Sequence, residues 1–316
     1  MNIEKMNNMN RQLERLMPFM TPAGVLIALV FGHIFIPLKP LVNILFGLMT
    51  FFGAMKISLK DMKESFHHPV FIAAYAAASF LIMPIIAEGI SLILFRSNRI
   101  IGAGYNMVRA VPTAVVGSVW ATMFHGNITV SLAVLLLDAI LAPVITPLML
   151  NLFTGTVIEI DTFSMMKSLC FMVVIPFILG LIFNHFFNHE IKEYIGPISN
   201  PISKILFFLE IIINVSQVSE RIVQSISWKY LLAIVASIVL SASGFAVGHI
   251  ISRAFRLGRK EDISITFAVA LRNTNAALVL AIGFLPEVAA FPIILSIVIQ
   301  QTLASVIGRI LFRTSQ

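Results

Sequence analysis

Two short tracts carry chemistry that an apolar chain has no ordinary use for. The first reads Val108, Arg109, Ala110, Val111, Pro112, Thr113, Ala114; the second reads Leu271, Arg272, Asn273, Thr274, Asn275, Ala276, Ala277. Each interrupts a hydrophobic segment with an arginine. An ionisable side chain at membrane depth costs at least ~2.5 kcal/mol on insertion scales, so it is kept where it faces a cavity or a partner. A guanidinium stays charged and offers five donors in a rigid fork, which suits a carboxylate or a sulfonate. Laid side by side, Arg109 falls on Arg272 and Ala114 on Ala277, an offset of 163 residues that also carries Asp138 onto Gln301. Paired interrupted segments in two halves of a membrane protein point to a transporter's binding site near the bilayer midplane. The alternative is chance similarity between two apolar tracts.

Pro112 removes a backbone donor and clashes with the preceding turn, so it breaks or kinks its helix, with Gly117 and Ser118 close behind. Asn273, Thr274 and Asn275 are three poor helix formers in a row. The spacing predicts two broken helices that cross and line a polar site with their half-helix ends; the plainer alternative is a proline kink and a polar helix contact. The substrate-binding candidates are Arg109, Pro112, Thr113, Arg272, Asn273, Thr274 and Asn275, joined by Gln300 and Gln301. Asp138 is a lone carboxylate in an apolar run from Leu135 to Ile140. It is either a proton carrier or a fixed counter-ion to one of the arginines. His185 and His189, four apart with Glu190 beside them, have the spacing of a metal pair on a helix; at a span end they read better as interfacial side chains. No cofactor and no metal are expected.

The elements that must position these residues follow from composition. The 316-residue chain is 58% hydrophobic and 12% charged, far more apolar than a soluble domain. This is an all-α membrane protein embedded in a lipid bilayer. A net charge of +7 does not indicate nucleic acid, because the basic residues gather in loops on one side. One cysteine, Cys170, excludes a disulfide framework. Residues 1–16 are polar, with no apolar signal core, and are expected to form a surface helix. Ten transmembrane helices are expected, near residues 17–37, 40–58, 69–95, 98–124, 127–153, 163–186, 197–217, 228–254, 262–284 and 287–313. Thirteen Lys and Arg, including the Arg253, Arg256, Arg259 and Lys260 cluster, fall on the side of the N-terminus and five on the other. This places both termini in the cytoplasm and the chain, multi-pass, in the inner (plasma) membrane. Ten spans split into two five-helix repeats, residues 17–153 and 163–313, and an odd number per repeat inverts the second. No GxxxxGK[ST] phosphate loop occurs, which argues against ATP-driven transport.

Several short runs make the chain resemble the bile acid:sodium symporters, within the wider bile acid, arsenite and riboflavin transporter grouping. They are Phe51, Phe52, Gly53, Ala54, Met55 with Ser58, Leu59, Lys60; Ile82, Met83, Pro84; the Pro112 tract followed by Gly126 and Asn127; Ala142, Pro143; and the tract from Arg272 to Ala277. The resemblance runs along nearly the whole chain. It implies ten helices in two inverted repeats, with a panel domain (spans 1, 2, 6, 7) and a core domain (spans 3–5, 8–10). It also implies a substrate between the two domains, near the crossing. The chain departs from the family's sodium sites at named positions. Gly117 and Ser118 stand for a Ser-Asn pair, Leu135 for a hydroxyl while Ser131 keeps another, Ala268 for a glutamate, Arg272 for a glutamine and Ser79 for a glutamine. These residues read as the remnant of an ion site. With the glutamate gone and a guanidinium in the crossing, the sequence speaks against sodium coupling: Arg272 is expected to occupy the place and charge of a sodium ion. Arg109 has no counterpart in the family pattern and is expected to bind the substrate.

The expected function is a secondary transporter of a small or amphipathic organic anion, working by alternating access and coupled to protons through Asp138 or to nothing. A sodium-coupled symporter with degenerate sites and a passive anion channel are the alternatives. An enzyme is not expected, because no catalytic Ser/His, Glu/His or Asp/Asp pair falls at matched depth.

Overall fold

The computed structural model describes residues 3–55, 69–155, 158–187, 189–220 and 228–312. In chain order its helices are α1 (Ile3–Phe35), α2 (Val42–Ala54), α3 (Pro69–Ala76), α4 (Met83–Leu94), α5 (Arg99–Ala110), α6 (Val115–Met123), α7 (Ile128–Thr154), α8 (Thr162–Leu169), α9 (Ile175–Phe186), α10 (His189–Ser216), α11 (Trp228–Ala254), α12 (Arg259–Ala270), α13 (Thr274–Phe284) and α14 (Ala290–Phe312). A 3-10 turn at Ile36–Leu41 joins α1 to α2. π-helical turns at Ala77–Ile82 and Cys170–Val174 carry α3 into α4 and α8 into α9. A proline, Pro84 or Pro176, stands in the first turn after each; the widened turn accommodates the ring and the missing donor. Among the described residues there is no strand, only one antiparallel bridge between Thr113 and Arg272.

Among the described residues, seven stretches are long and apolar enough to cross a membrane by length and composition. They are Pro22–Ala54, Pro69–Leu94, Ile128–Thr154, Thr162–Phe186, Ile195–Ser216, Leu231–Ala254 and Glu287–Phe312. The helices α5, α6, α12 and α13 hold 12, 9, 12 and 11 residues, each short of the ~20 that one crossing needs. They come as two end-to-end pairs, α5 with α6 and α12 with α13. The opening helix α1 runs through residue 16 without a stop, so the polar stretch is the first part of a helical segment that reaches Phe35 with a kink at Phe31. The change there is from polar to apolar residues, and most of both kinds favour helix. Ser58, Leu59 and Lys60, used above for the resemblance, lie outside the described residues, as do Lys63, Arg221 and Arg313.

The chain divides into two compact units, residues 1–59 with 168–225 and residues 60–167 with 226–316. In the first, α1 packs along α10, with Gly24 against Phe208 and Ile211. There too α2 meets α9, where Phe51 and Phe183 touch edge-on at 5.8 Å and Asn184 donates to the Met55 carbonyl. In the second unit, Phe71, Tyr75, Met83, Tyr105, Val134 and Val269 form one core cluster. Phe245, Phe267, Leu271 and Phe312, with Trp120 and Phe124 packed on them, form another. Outward, the long helices bare large apolar side chains such as Leu26, Ile93, Leu152, Phe171 and Ile310. Hydrocarbon, not water, is the solvent that matches such a surface.

Within the second unit, α11 and α12 approach closely at two glycines four residues apart. A Cβ on Gly248 would stand 2.7 Å from Thr266 Cα, and one on Gly244 would stand 2.9 Å from Ala270 Cα. Small residues at this spacing let helix backbones pack where no hydrophobic force drives them together. Because α12 ends at the interruption, this contact fixes its position. Gly248→Ala should lower the melting temperature, since the new atom meets backbone; overpacking costs about 1–3 kcal/mol. Gly283→Ala, with nothing within 4 Å, should be neutral or stabilising, because alanine gains ~1 kcal/mol of helix propensity. Thermal unfolding of both variants in detergent tests the contact, and equal shifts would refute it.

Candidate functional site: a crossing of two interrupted helices

The first interruption is set by Pro112. A residue before proline is driven out of the helical region, and Val111 accordingly sits at φ −70°, ψ 157°. Ala114 is also extended, at φ −83°, ψ 141°, before α6 begins. The second interruption has no proline. Leu271 adopts φ −100°, ψ 96°, and Asn273 caps α13, its Oδ1 accepting from the Ala276 N–H at 3.2 Å. This cap is what an asparagine at a helix start supplies. The two extended pieces run antiparallel. Asn273 N donates to Pro112 O at 2.8 Å, and Ala114 N donates to Leu271 O at 2.9 Å.

The other backbone groups freed here find partners inside the same unit, as burial demands. Thr113 N donates to Asp138 Oδ2 at 2.6 Å, and Arg272 N donates to Gln300 Oε1 at 3.1 Å. The Thr113 hydroxyl lies 2.8 Å from Ala268 O and 3.2 Å from Leu271 O. Thr146 Oγ1 donates to Ala110 O at 2.8 Å.

Both arginines take part in this accounting. Arg272 Nη2 donates to Val111 O, Nη1 donates to the Tyr75 hydroxyl oxygen at 2.7 Å, and Nη1 lies 3.3 Å from Asp138 Oδ2. The Tyr75 hydroxyl in turn donates to Asp138 Oδ2. Arg109 Nη1 donates to Val269 O at 3.2 Å and Nη2 to Leu240 O at 3.1 Å. Arg109, Asp138 and Arg272 are each at most 2% exposed. Arg272 therefore holds the crossing, with Asp138 as its counter-ion. Arg109, expected to meet the substrate, is buried with Nη1 and Nη2 each donating to a main-chain carbonyl, while its Nε has no protein partner.

Thr113, Asp138, Ala268, Arg272, Asn273 and Gln300 are thus brought together by direct bonds, with Pro112 among them, while Arg109 bonds beside them to Val269 O and Leu240 O. Thr274 starts α13 with its N–H on Arg272 O at 2.8 Å, and Asn275 is buried one position on. Gln301 points elsewhere, accepting from Trp120 Nε1 at 3.0 Å. Ser118 Oγ turns back to Val115 O, and Ser131 Oγ to Asn127 O. Gly117 packs against Phe267 O, and Ser79 is buried in the π-helical turn. Glu88 pairs with Arg99 at 2.6 Å, away from the crossing. Among the described residues no group of three or more His, Cys, Asp or Glu could hold a metal; the His189 side chain lies outside them. Tyr75, Thr146 and the Leu240 carbonyl were not foreseen. A tyrosine mid-way along an apolar span needs a partner for its hydroxyl, which was the one signal available.

An all-helical membrane chain with two half-helix pairs tied together in its interior has the anatomy of a secondary transporter. The chain belongs to the sodium bile acid symporter family, which matches residues 41–225; it is a transporter and not an enzyme. It is similar to the uncharacterized protein YbaS of Bacillus subtilis (strain 168), with 28% identity over 297 residues, 94% of this chain and 97% of YbaS. It is similar to YocS of the same organism, named an uncharacterized sodium-dependent transporter, with 24% identity over 263 residues, 83% of this chain and 80% of YocS. BASS3 of Arabidopsis thaliana, named a probable chloroplastic sodium/metabolite cotransporter, is 24% identical over 259 residues, 80% of this chain and 58% of BASS3.

Removing one partner of a buried ion pair costs about 3–5 kcal/mol. Asp138→Ala strands Arg272, the Tyr75 hydroxyl and the Thr113 N–H together and should fall in that range. Tyr75→Phe keeps the ion pair and should cost about 1–3 kcal/mol. Unfolding measurements on both variants check this ordering, and a Tyr75→Phe loss as large as that of Asp138→Ala would mean that the ion pair contributes nothing.

Proposed function

We propose that the protein is a secondary transporter of a small or amphipathic organic anion, working by alternating access and without sodium. The observation that carries this reading is the crossing itself. Around it lie two guanidiniums against one carboxylate, Asp138. The starts of α6 and α13 meet there too, and half-helix N-termini favour anions. Ala268 offers no carboxylate to a sodium ion, and the Arg272 guanidinium lies among the oxygens of Val111, Tyr75 and Asp138.

The proposed architecture is ten spans in two inverted five-helix repeats. It is supported by counting α1 and α2 as separate crossings and each interrupted pair as one, which places the interruptions fourth and ninth. The division into residues 1–59 with 168–225 and 60–167 with 226–316 supports reading the two units as panel and core. The basic loops support cytoplasmic termini in the plasma membrane. A second reading, a sodium-coupled symporter with degenerate sites, is favoured by the names of YocS and BASS3.

A thermal-shift screen of carboxylates, sulfonates and bile salts, each run in sodium, potassium and choline, separates the readings. A ligand at 100 times its Kd stabilises by ~2.7 kcal/mol. One organic-anion class should raise the melting temperature equally in all three salts. A rise that requires sodium establishes the second reading, and no rise with any anion refutes the substrate class.

A further inference from the structure

We propose that the turn joining α11 to α12 is a docking surface for anionic phospholipid headgroups, with Arg256 and Lys260 as its principal contacts. Arg253, Arg256, Arg259 and Lys260 crowd into this turn, and all four are exposed. Arg309, also exposed, stands one turn before Phe312 at the end of α14. The two helix ends are neighbours. Phe312 meets the His249 ring of α11 at 5.8 Å, and Arg259 Nη2 donates to Phe312 O at 3.5 Å. Among the described residues, none of these cations forms an ion pair. The nearby carboxylates are engaged within the fold. Glu261 Oε1 accepts from Asn127 Nδ2 at 2.9 Å, and Asp262 Oδ1 meets His249 Nδ1 at 3.0 Å and the Thr266 hydroxyl at 3.2 Å.

Two of the cations stand where the fold alone would not put them. Arg256 has φ 56°. It is the left-handed residue that ends α11, with its N–H on Arg253 O at 3.0 Å and the Leu257 N–H on Ser252 O at 3.0 Å. Glycine fills such a position without strain, so an arginine held there points to a use for its side chain. Lys260 stands with Arg259 in the first turn of α12. A helix start carries partial positive charge and disfavours a cation. Arg259 is anchored on Phe312 O, whereas the Lys260 ammonium has no partner among the described residues. The depth is that of headgroups: the apolar stretches long enough to cross a membrane end at Ala254 on α11 and at Phe312 on α14. Beside the cations, Ile250, Phe255 and Ile310 are exposed. Cations bordering a bare apolar face fit an amphiphile, with phosphate on the charges and acyl chains on the isoleucines. An acidic polypeptide would match only the charged part. This docking surface depends neither on the substrate nor on the coupling proposed above.

The test uses the purified full chain in neutral-detergent micelles. Melting temperature is followed as phosphatidylglycerol, phosphatidylcholine, glycerol 3-phosphate or polyglutamate is added. Phosphatidylglycerol alone should raise it, and the rise should shrink at about 1 M salt, where the Debye length falls to ~3 Å. Arg256→Gly relieves the left-handed backbone and should melt at or above wild type without lipid. It should nevertheless need about fivefold more phosphatidylglycerol for the same rise. Lys260→Gln should lose about as much. Combining Arg253→Gln, Arg256→Gln and Lys260→Gln should raise the lipid requirement roughly a hundredfold. An equal rise with phosphatidylcholine would show that charge is not read and would overturn the proposal. So would an equal rise with glycerol 3-phosphate or polyglutamate, which would assign the patch to a small anion or to an acidic protein segment. An Arg256→Gly variant that responds to phosphatidylglycerol as wild type does would overturn it as well. The same holds if that variant melts below wild type without lipid, because the side chain would then serve the fold.

Discussion

Everything around the crossing depends on one constraint: a main chain that stops being helical where water is absent must find other hydrogen-bond partners. Each freed group left alone costs several kcal/mol in hydrocarbon, which a domain of ordinary stability cannot absorb many times. The structure meets the demand with four kinds of donor and acceptor. The two interrupted segments pair with each other through Pro112, Ala114, Leu271 and Asn273. Neutral side chains, Thr113, Thr146 and Gln300, take single groups. Asp138 takes the Thr113 N–H. The arginines take the carbonyls at the ends of α5 and α12. Seen this way, a charged residue in the apolar interior is the donor with the longest reach, able to span from one interruption to the other.

Charge then has to be balanced locally. A buried carboxylate or guanidinium is tolerable when paired and hydrogen-bonded. The Tyr75, Asp138 and Arg272 group satisfies this, with the Tyr75 hydroxyl and the Arg272 guanidinium both meeting Asp138 Oδ2. Arg109 has no such partner and is stabilised by two carbonyl dipoles instead. This asymmetry explains why the two arginines, which coincide under the 163-residue offset, do not do identical work. The offset that puts Arg109 on Arg272 puts Asp138 on Gln301. The position in the second half that matches Asp138 therefore carries an amide, not a carboxylate.

The sequence made the interruptions legible because proline and a run of Asn, Thr and Asn are local signals with local consequences. That one of the two arginines could meet a carboxylate was also legible, since Asp138 stands alone in its apolar run, but not which arginine it would be. The buried position of Arg109 was not, because its partners are carbonyls of Leu240 and Val269, and every residue carries a carbonyl. Tyr75 was missed for a related reason. Its hydroxyl matters through what lies beside it, and the π-helical turn that follows α3 shifts the register that would have predicted its facing. The continuity of α1 across residue 16 was hidden because a switch from polar to apolar residues marks a change of solvent, which need not be a change of conformation.

The two interruptions also differ in what enforces them. At the first, the break is covalent: Pro112 has no N–H to give and Val111 is barred from the helical region. At the second, Leu271, Arg272 and Asn273 each could continue a helix, at a propensity cost well under 1 kcal/mol per residue. What keeps them extended is their partners. Leu271 O is taken by Ala114 N, Arg272 N by Gln300, and Asn273 N by Pro112 O. The second interruption is therefore held by its pairing with the first as well as by its own Asn273 cap. A segment that proline forces open presents Pro112 O and Ala114 N at β spacing, and the facing chain unwinds to meet them. Any movement of the Pro112 segment removes the reason for Leu271, Arg272 and Asn273 to stay extended. The crossing is one hydrogen-bonded element to which both interruptions contribute.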